Sequence, residues 1–226
     1  MDGRGMQNAG LAWRAGAPAS ARFDEAYFSQ EDGLAESRHV FLAGNGLPER
    51  LRPGFAIAEL GFGTGLNALA AWHAWRGCGL PGDLVYTSFE AWPLAAAEMA
   101  RALAPWPELG PLAVTLLDAW RSGGRDIRLP GLQLTVIEGD ARETLARWPG
   151  RADAWFLDGF SPARNPEMWE PGLLAAVARR TAPGGTCASF TAAGGVRAAL
   201  AEAGFAVTRA PGFGRKRHMT RGLLAS

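Results

Sequence analysis

From residue 55 onward, short apolar runs alternate with longer segments of mixed character. Phe55-Ala-Ile-Ala, Leu132-Gln-Leu-Thr-Val-Ile and Ala154-Trp-Phe-Leu have the length of strands. Strands are predicted near 55–60, 84–89, 132–137, 153–158, 184–190, 205–209 and 217–224, with helices near 66–76, 93–103, 141–148, 168–180 and 194–203. Ala154-Trp-Phe-Leu is continuously apolar, as suits a central parallel strand covered on both faces. Gly184-Gly185 and Gly204 fall where helix-to-strand connections are expected. The stretch Pro105–Pro130 interrupts the alternation, with a short helix predicted at 111–121 before Gly123-Gly124. Residues 1–54 are loop-rich and read as an N-terminal cap or lid, with short strands near Phe23 and at Val40-Phe-Leu. The expectation is an α/β fold, a doubly wound sheet over 55–226, with ligands at the C-terminal ends of its strands.

The first predicted strand runs into Glu59-Leu-Gly61-Phe-Gly63-Thr-Gly65-Leu-Asn67 and then a helix start. Alternate glycines strip side chains from the loop, so a ligand can lie against bare backbone N–H groups. A carboxylate at Glu59 repels a pyrophosphate and attracts a cation. S-adenosylmethionine (SAM) carries a cationic sulfonium and amino group, so the loop points first to methyl transfer. Gly63-x-Gly65-x-x-Ala68 also fits a dinucleotide fingerprint, a weak pattern when it stands alone.

Three more strand ends present polar residues. Glu90, closing Ser88-Phe-Glu, can accept both ribose hydroxyls of an adenosine. Asp140, in Gly139-Asp-Ala141, can accept from an adenine amino group while the Ala141 N–H faces a ring nitrogen; it can equally cap the helix that follows. Asp158-Gly-Phe160-Ser-Pro162 makes a rigid acceptor beside a sulfonium, able to bind a neutral amine's N–H and aim its lone pair, although Asp-Gly is also a plain turn. No histidine or lysine stands out in the sequence as the base for such an amine.

Composition narrows the class. Hydrophobic residues make up 48% of the 226, which excludes a disordered chain, and no apolar run reaches the ~20 residues of a spanning helix. The opening Met1-Asp-Gly-Arg-Gly lacks the apolar segment of a leader, and two cysteines are too few for a disulfide framework, so a cytoplasmic enzyme without a membrane partner is expected. No metal site is expected, since the three histidines lack a second candidate ligand at recognisable spacing. His73, beside Trp72 and Trp75, reads as structural, and Cys187 as a buried small residue. A net charge of +1 announces no polyanion, yet Gly204–Ser226 carries Arg209, Arg215, Lys216, Arg217 and Arg221 and no acid. This segment reads either as a phosphate-contacting loop or as a charged sheet edge.

Together these segments resemble the tRNA 5-methylaminomethyl-2-thiouridine-forming methyltransferase family, in many bacteria one half of a bifunctional wobble-uridine enzyme whose other half is a flavin oxidase. The likeness runs from about residue 20 to 224. It rests on Phe23-Asp-Glu-Ala-Tyr-Phe-Ser, on Gly33–Asn45, Glu59–Asn67 and Ser88–Glu90, and on the specific Trp155–Trp169. Pro183-Gly-Gly-Thr and Gly212-Phe-Gly-Arg-Lys-Arg also match. The resemblance implies a class I SAM-dependent fold with a reversed final strand, acting on the exocyclic amine of 5-aminomethyl-(2-thio)uridine in the anticodon stem-loop of tRNA. It implies a cofactor set of Tyr27, Glu59, Gly61, Gly63, Asn67, Glu90, Asp140, Ala141 and Asp158. The reaction set is Asp158, Phe160 and Pro162. On the substrate side it implies Phe28, Glu36 and Arg38, with Tyr27 shared. The basic positions Arg164, Arg215, Lys216, Arg217 and Arg221 are then expected on tRNA. Ser161 and Arg164 stand where the family often has Ala and Lys. No second glycine fingerprint follows, so the oxidase is expected as a separate partner, if one acts with this chain. The competing readings are a nicotinamide-dependent oxidoreductase, which lacks an evident Lys/Tyr/His constellation, and a non-catalytic tRNA-binding module, against which the intact acids argue.

Overall fold

The computed structural model describes residues 10–14 and 16–225; the leader reading at Met1–Gly5 lies outside them. The cap begins with three short antiparallel strands, β1 (Leu11–Arg14), β2 (Ala17–Ser20) and β3 (Glu25–Ala26). Phe23 sits in the turn between β2 and β3 rather than in a strand. Helix α1 (Gly33–Ser37) follows, its first turn capped by the Asp32 carboxylate accepting from Ala35 N–H. Val40-Phe-Leu, expected as a strand, continues this helix as a π-helical turn over Arg38–Leu42. All three residues are buried, which a turn sunk into the core allows and a one-faced strand does not.

The larger unit alternates as the pattern predicts. Its order is β4 (Ala56–Leu60), α2 (Leu66–Gly77), β5 (Leu84–Glu90), α3 (Ala96–Leu103), α4 (Gly110–Arg121), β6 (Asp126–Leu129), β7 (Leu132–Glu138) and α5 (Ala141–Arg147). Then come β8 (Ala152–Leu157), α6 (Pro171–Arg179), β9 (Thr181–Ser189), α7 (Gly194–Glu202), β10 (Phe205–Pro211) and β11 (His218–Leu224). The eight strands lie in the order β10-β11-β9-β8-β4-β5-β7-β6. β9, β8, β4, β5 and β7 are mutually parallel, whereas β11 runs antiparallel to both of its neighbours. The reversed final strand is therefore present.

Three expectations need correction. β6 was unforeseen: Asp126-Ile-Arg-Leu is too short and too charged to register as a strand alone, and pairs antiparallel with β7 across the Pro130-Gly131 turn. α6 starts at Pro171, because Pro166–Trp169 form a separate 3-10 turn. Gly184-Gly185 lie inside β9, where the register against β8 shifts between Ala152 and Ala154. A Cβ on Gly185 would come within 2.5 Å of the Thr181 methyl and 2.8 Å of the Ala182 carbonyl, so the irregular strand requires glycine there.

Each face of the sheet has its own core. Trp72, Trp75, Leu116 and Trp120 fill one face together with Val40 and Phe41 of the cap; Trp155, Leu174, Val177 and Leu200 fill the other. His73 faces solvent between the two buried tryptophans. β4 is the first strand of the doubly wound unit and pairs with β5 on one side and β8 on the other, so chain order reverses there and opens a crevice at the C-terminal edge. The cap packs over that edge, with Phe41 stacked on Phe156 at 5.5 Å.

Candidate active site

The loops after β4, β5, β7 and β8 converge with the cap on a cavity of about 710 Å³. After β4 the backbone turns through Gly61 (φ +88) and Gly63 (φ +52), conformations that L side chains rarely adopt. A Cβ on Gly61 would sit 3.4 Å from the Asp158 carbonyl oxygen, and one on Gly63 3.1 Å from the Tyr27 ring. Bare backbone therefore lines this part of the wall.

Glu90 ends β5 with its carboxylate facing the cavity. Its Oε2 accepts the Gly63 N–H at 2.9 Å and Oε1 the Trp92 N–H at 2.7 Å. A carboxylate offers about four lone-pair positions, and those not taken by the surrounding backbone donors face the cavity, where a ligand's hydroxyls can meet them. Burial pushes this carboxyl above its ordinary range, against the pull of the backbone donors.

Glu59 does not face the cavity. It is 0% exposed beneath the glycine loop, accepting from Asn67 Nδ2 at 3.0 Å and Ser88 Oγ at 2.8 Å. The expected contact with a bound cation is corrected accordingly. Burial, then the neighbouring Asp158, push its carboxyl well above the usual range. Glu59 reaches the site through Asn67, whose second amide hydrogen goes to Asp158 Oδ2 at 2.7 Å and whose Oδ1 accepts from Ser37 Oγ at 2.6 Å.

Asp158, after β8, takes a further hydrogen bond from Gly159 N–H at 2.8 Å. Burial, reinforced by Glu36, pushes its carboxyl up to about 7, while its hydrogen bonds and Lys216 oppose the rise. Phe160 stacks on Phe23 at 4.6 Å and meets the Tyr27 ring edge-on at 5.2 Å. Tyr27's phenol is pushed up by burial and by Glu90, so it stays a neutral donor. Pro162 lies just outside the cavity wall, two residues past Phe160, which lines it. Beside it, the Ser161 N–H and Oγ both donate to Glu25 Oε2, at 2.8 and 2.7 Å, fastening this loop to β3.

The two readings of Asp140 resolve toward the cap. Its carboxylate accepts the Arg142 N–H at 2.9 Å and pairs with the Arg142 guanidinium at 2.6 Å, which holds it below the usual range, although the residue and Ala141 still line the cavity. Phe28 lines the cavity and meets Trp106 edge-on at 5.0 Å. Arg38 pairs with Glu108 outside the cavity wall, with both side chains partly exposed.

The tail is not a run of unpaired cations. Arg215 lies 3.6 Å from Glu31, Lys216 donates to Glu36 at 2.8 Å, and Arg221 Nε donates to the Gly44 carbonyl at 2.8 Å. The acids that accept these charges come from the cap, which explains why the local sequence looks unopposed. Arg221, thus engaged, is a structural residue. Arg164 lies 3.4 Å from Asp24, and Arg217 is exposed. Sequence reasoning missed Phe23, Glu25, Trp92 and Phe190 as wall residues. Phe23 and Glu25 fall in a motif already singled out; Trp92, two residues past Glu90, carried no signal beyond an aromatic at a strand end. Arg22 stacks its guanidinium 4.5 Å from the Trp92 ring centroid.

Cys187 is buried in β9, and burial pushes its thiol up to about 12. Among the described residues, no His, Cys, Asp and Glu side chains group to hold a metal ion, and no helix is long and apolar enough to cross a membrane.

Asp158 carries a testable consequence for stability. Its folded carboxyl titrates near 7, against about 3.9 in an unfolded chain. The folded state thus binds the proton more tightly; the stabilisation is complete below about pH 4 and is lost as pH rises toward 7. Asp158→Asn should raise Tm relative to wild type more at pH 8 than at pH 5, read by thermal unfolding without ligand. An equal difference at both pH values contradicts the assignment.

The comparisons agree with this geometry. The chain is 52% identical over 218 residues to the tRNA 5-methylaminomethyl-2-thiouridine biosynthesis bifunctional protein MnmC of Caulobacter vibrioides, covering 92% of this chain and 36% of that protein. The protein of the same name from Pseudomonas aeruginosa PAO1 is 48% identical over 229 residues, covering 96% and 35%. The chain thus spans about a third of the length of the curated relatives it matches. The crystal structure of MNMC2 from Aquifex aeolicus superposes with a TM-score of 0.78 at 28% identity, covering 97% of this chain and 72% of that one. A precorrin-6y C5,15-methyltransferase from Geobacter metallireducens, with a TM-score of 0.51 at 15% identity over 87% of this chain and 91% of that one, shares the fold alone. A family model described as S-adenosyl-L-methionine-dependent methyltransferase matches residues 108–225, just over half of the chain, and the chain belongs to that family of SAM-dependent enzymes.

Proposed function

We propose that this methyltransferase N-methylates the aminomethyl group of 5-aminomethyl-(2-thio)uridine at the wobble position of tRNA, giving 5-methylaminomethyl-(2-thio)uridine. The observation that carries the reading is the pairing of a hydroxyl-binding acid, Glu90, with a raised, hydrogen-bonded acid, Asp158, on one glycine-walled cavity. The printed names of the relatives, which concern 5-methylaminomethyl-2-thiouridine in tRNA, supply the substrate.

The wall fits SAM: Gly61 and Gly63 line the cavity as bare backbone packed against the Asp158 loop and Tyr27, and the Glu90 carboxylate faces the same cavity as an acceptor for ribose hydroxyls. Tyr27, Gly61, Gly63, Asn67, Glu90, Ala141 and Asp158 form the cofactor side in this proposal, with Asp140 shaping the start of α5 and Glu59 acting from beneath. When bound, SAM supplies an electrophilic methyl group. Asp158 accepts an N–H of the incoming amine and directs its lone pair toward the reacting carbon, while Phe160, Phe23 and Tyr27 exclude water. The amine gains the methyl carbon as the carbon–sulfur bond breaks, and the resulting ammonium releases its extra proton. A carboxyl titrating near 7 is matched to that proton at neutral pH.

Phe28 and Glu36 face the substrate, and Arg164, Arg215 and Arg217 reach toward the anticodon backbone. The word bifunctional in the relatives' names supports a second activity beside methyl transfer, for which the family resemblance suggests a flavin-dependent oxidase, and action on tRNA supports the cytoplasm as the site of work. Two synthetic anticodon stem-loops test the reading, one with the 5-aminomethyl group on its wobble uridine and one without. Labelled methyl from SAM should enter only the first; equal labelling of both places the acceptor elsewhere.

A further inference from the structure

Lys216 belongs to the turn between β10 and β11, and that turn is built against the cap. The Gly212 N–H donates to the Arg217 carbonyl at 3.2 Å and the Lys216 N–H to the Phe213 carbonyl at 3.0 Å. A Cβ on Gly212 would fall 2.1 Å from the Lys216 carbonyl oxygen, and one on Gly214 2.4 Å from Glu31 Oε2. The Lys216 backbone is therefore held, and its side chain runs into the cavity wall. Its Nζ donates to Glu36 Oε1 at 2.8 Å and lies 4.2 Å from the Phe190 ring centroid.

Glu36 is only 7% exposed, and its Oε2 accepts the Ser29 N–H at 2.9 Å. A buried carboxylate needs a compensating charge, and Lys216 provides it. Asp158 lines the same cavity. The ionisable groups that face it are Glu36 on α1, Lys216 on the turn, Glu59 on β4 beneath Asn67, and the buried Tyr86 phenol on β5 behind Glu59. Lys216 is the cation of this group.

We propose that Lys216 is a positioning residue of the transfer site: its ammonium, fixed on Glu36, supplies the positive charge that lets Asp158 stay a carboxylate and receive the substrate amine. The inference rests on the methyl-transfer reading above. The carboxylate is acceptor-only and can hold the amine's N–H on either oxygen; a protonated Asp158 keeps an accepting oxygen but adds an O–H donor that competes for the lone pair needed for attack. Burial and Glu36 favour protonated Asp158; the Gly159 and Asn67 hydrogen bonds oppose them most, and Lys216 adds to that opposition as the one cation of the group. This role differs from the phosphate contact expected for a basic tail. A lysine on phosphate shows in the salt dependence of RNA binding; a lysine that sets the charge of Asp158 shows in a pH profile.

The test compares wild type with Lys216→Met and Lys216→Arg. Carbon-detected NMR follows the Asp158 carboxyl titration in the protein alone, and kcat/KM on hypomodified tRNA is measured across pH. In the Met variant the NMR midpoint and the acid limb of kcat/KM should both rise, by less than the roughly 1–3 pH units of a directly adjacent opposite charge, because the hydrogen bonds to Asp158 hold its carboxyl down more than Lys216 does. The Arg variant should keep both near wild type. The salt slope of tRNA binding should stay at its wild-type value throughout. Glu36→Gln, which removes the opposing carboxylate, should move the midpoint downward and decides the matter if the Met variant fails to fold. An unmoved midpoint together with a salt slope flattened by about 0.7 to 0.9 returns Lys216 to phosphate binding and overturns the proposal. Absence of tRNA methylation by wild type would overturn the functional reading alone, because the NMR midpoint is read without tRNA or SAM.

Discussion

Asp158→Asn is expected to lower methyl transfer by about a hundredfold or more at pH 7.5 while leaving SAM affinity within a few-fold of wild type. Asn is nearly isosteric, but Gly159 N–H goes to Oδ1 and Asn67 Nδ2 to Oδ2, so its one carbonyl oxygen keeps only one of the two donors, and thermal unfolding of the variant checks that the loop after β8 holds. What it loses is the charge that favours the amine's passage to a cation and the second oxygen that can hold the nucleophile. Single-turnover transfer from labelled SAM, with calorimetry of SAM binding beside it, separates the two effects. Near-wild-type turnover would leave Asp158 a structural turn residue.

Glu90→Ala is expected to weaken SAM binding at least about tenfold with the fold intact. Hydrogen bonds from hydroxyls to a carboxylate are charge-assisted and worth roughly 1.5–3 kcal/mol. The same carboxylate braces Gly63 and Trp92 through their N–H groups, so its loss also loosens the glycine loop. Glu90→Gln, which keeps one acceptor oxygen, should lie between Ala and wild type. Calorimetry reads the affinities and thermal unfolding checks the fold. An unchanged Kd in the Ala variant removes Glu90 from the cofactor side.

The parts of this site that were legible in the sequence are those that local chemistry dictates. Glycines at 61 and 63 announce a stripped loop, and an acid closing an apolar run announces a strand-end ligand. The direction of Glu59 was not legible. β4 is covered on both faces, so its side chains do not alternate between apolar and polar, and nothing local says that this acid points down toward Asn67 and Ser88. The surroundings of Arg215 and Lys216 in the tail were hidden for a related reason. Two of its five charges, Arg215 and Lys216, meet Glu31 and Glu36, about 180 positions earlier, and proximity of that kind is created by the fold alone. Arg38 shows the same limit on the cap, since its partner Glu108 comes from the turn before α4. Val40-Phe-Leu failed as a strand because three consecutive apolar residues carry no period, and the Asp32 cap upstream extended the helix through them. The Ser161 and Arg164 departures from the family pattern acquire a meaning that spacing could not supply. Both meet the cap acids, at Glu25 and Asp24, and bind the loop after β8 to the strands above it.

The most direct measurement is nucleoside mass spectrometry of tRNA that carries 5-aminomethyl-(2-thio)uridine, after incubation with the protein and SAM. The account predicts that this nucleoside is converted to one heavier by a single methylene, with the added mass on the aminomethyl group, and that Asp158→Asn leaves it unconverted over the same time. A methyl group found on another nucleoside, or no conversion by a protein that binds both SAM and tRNA, would contradict it.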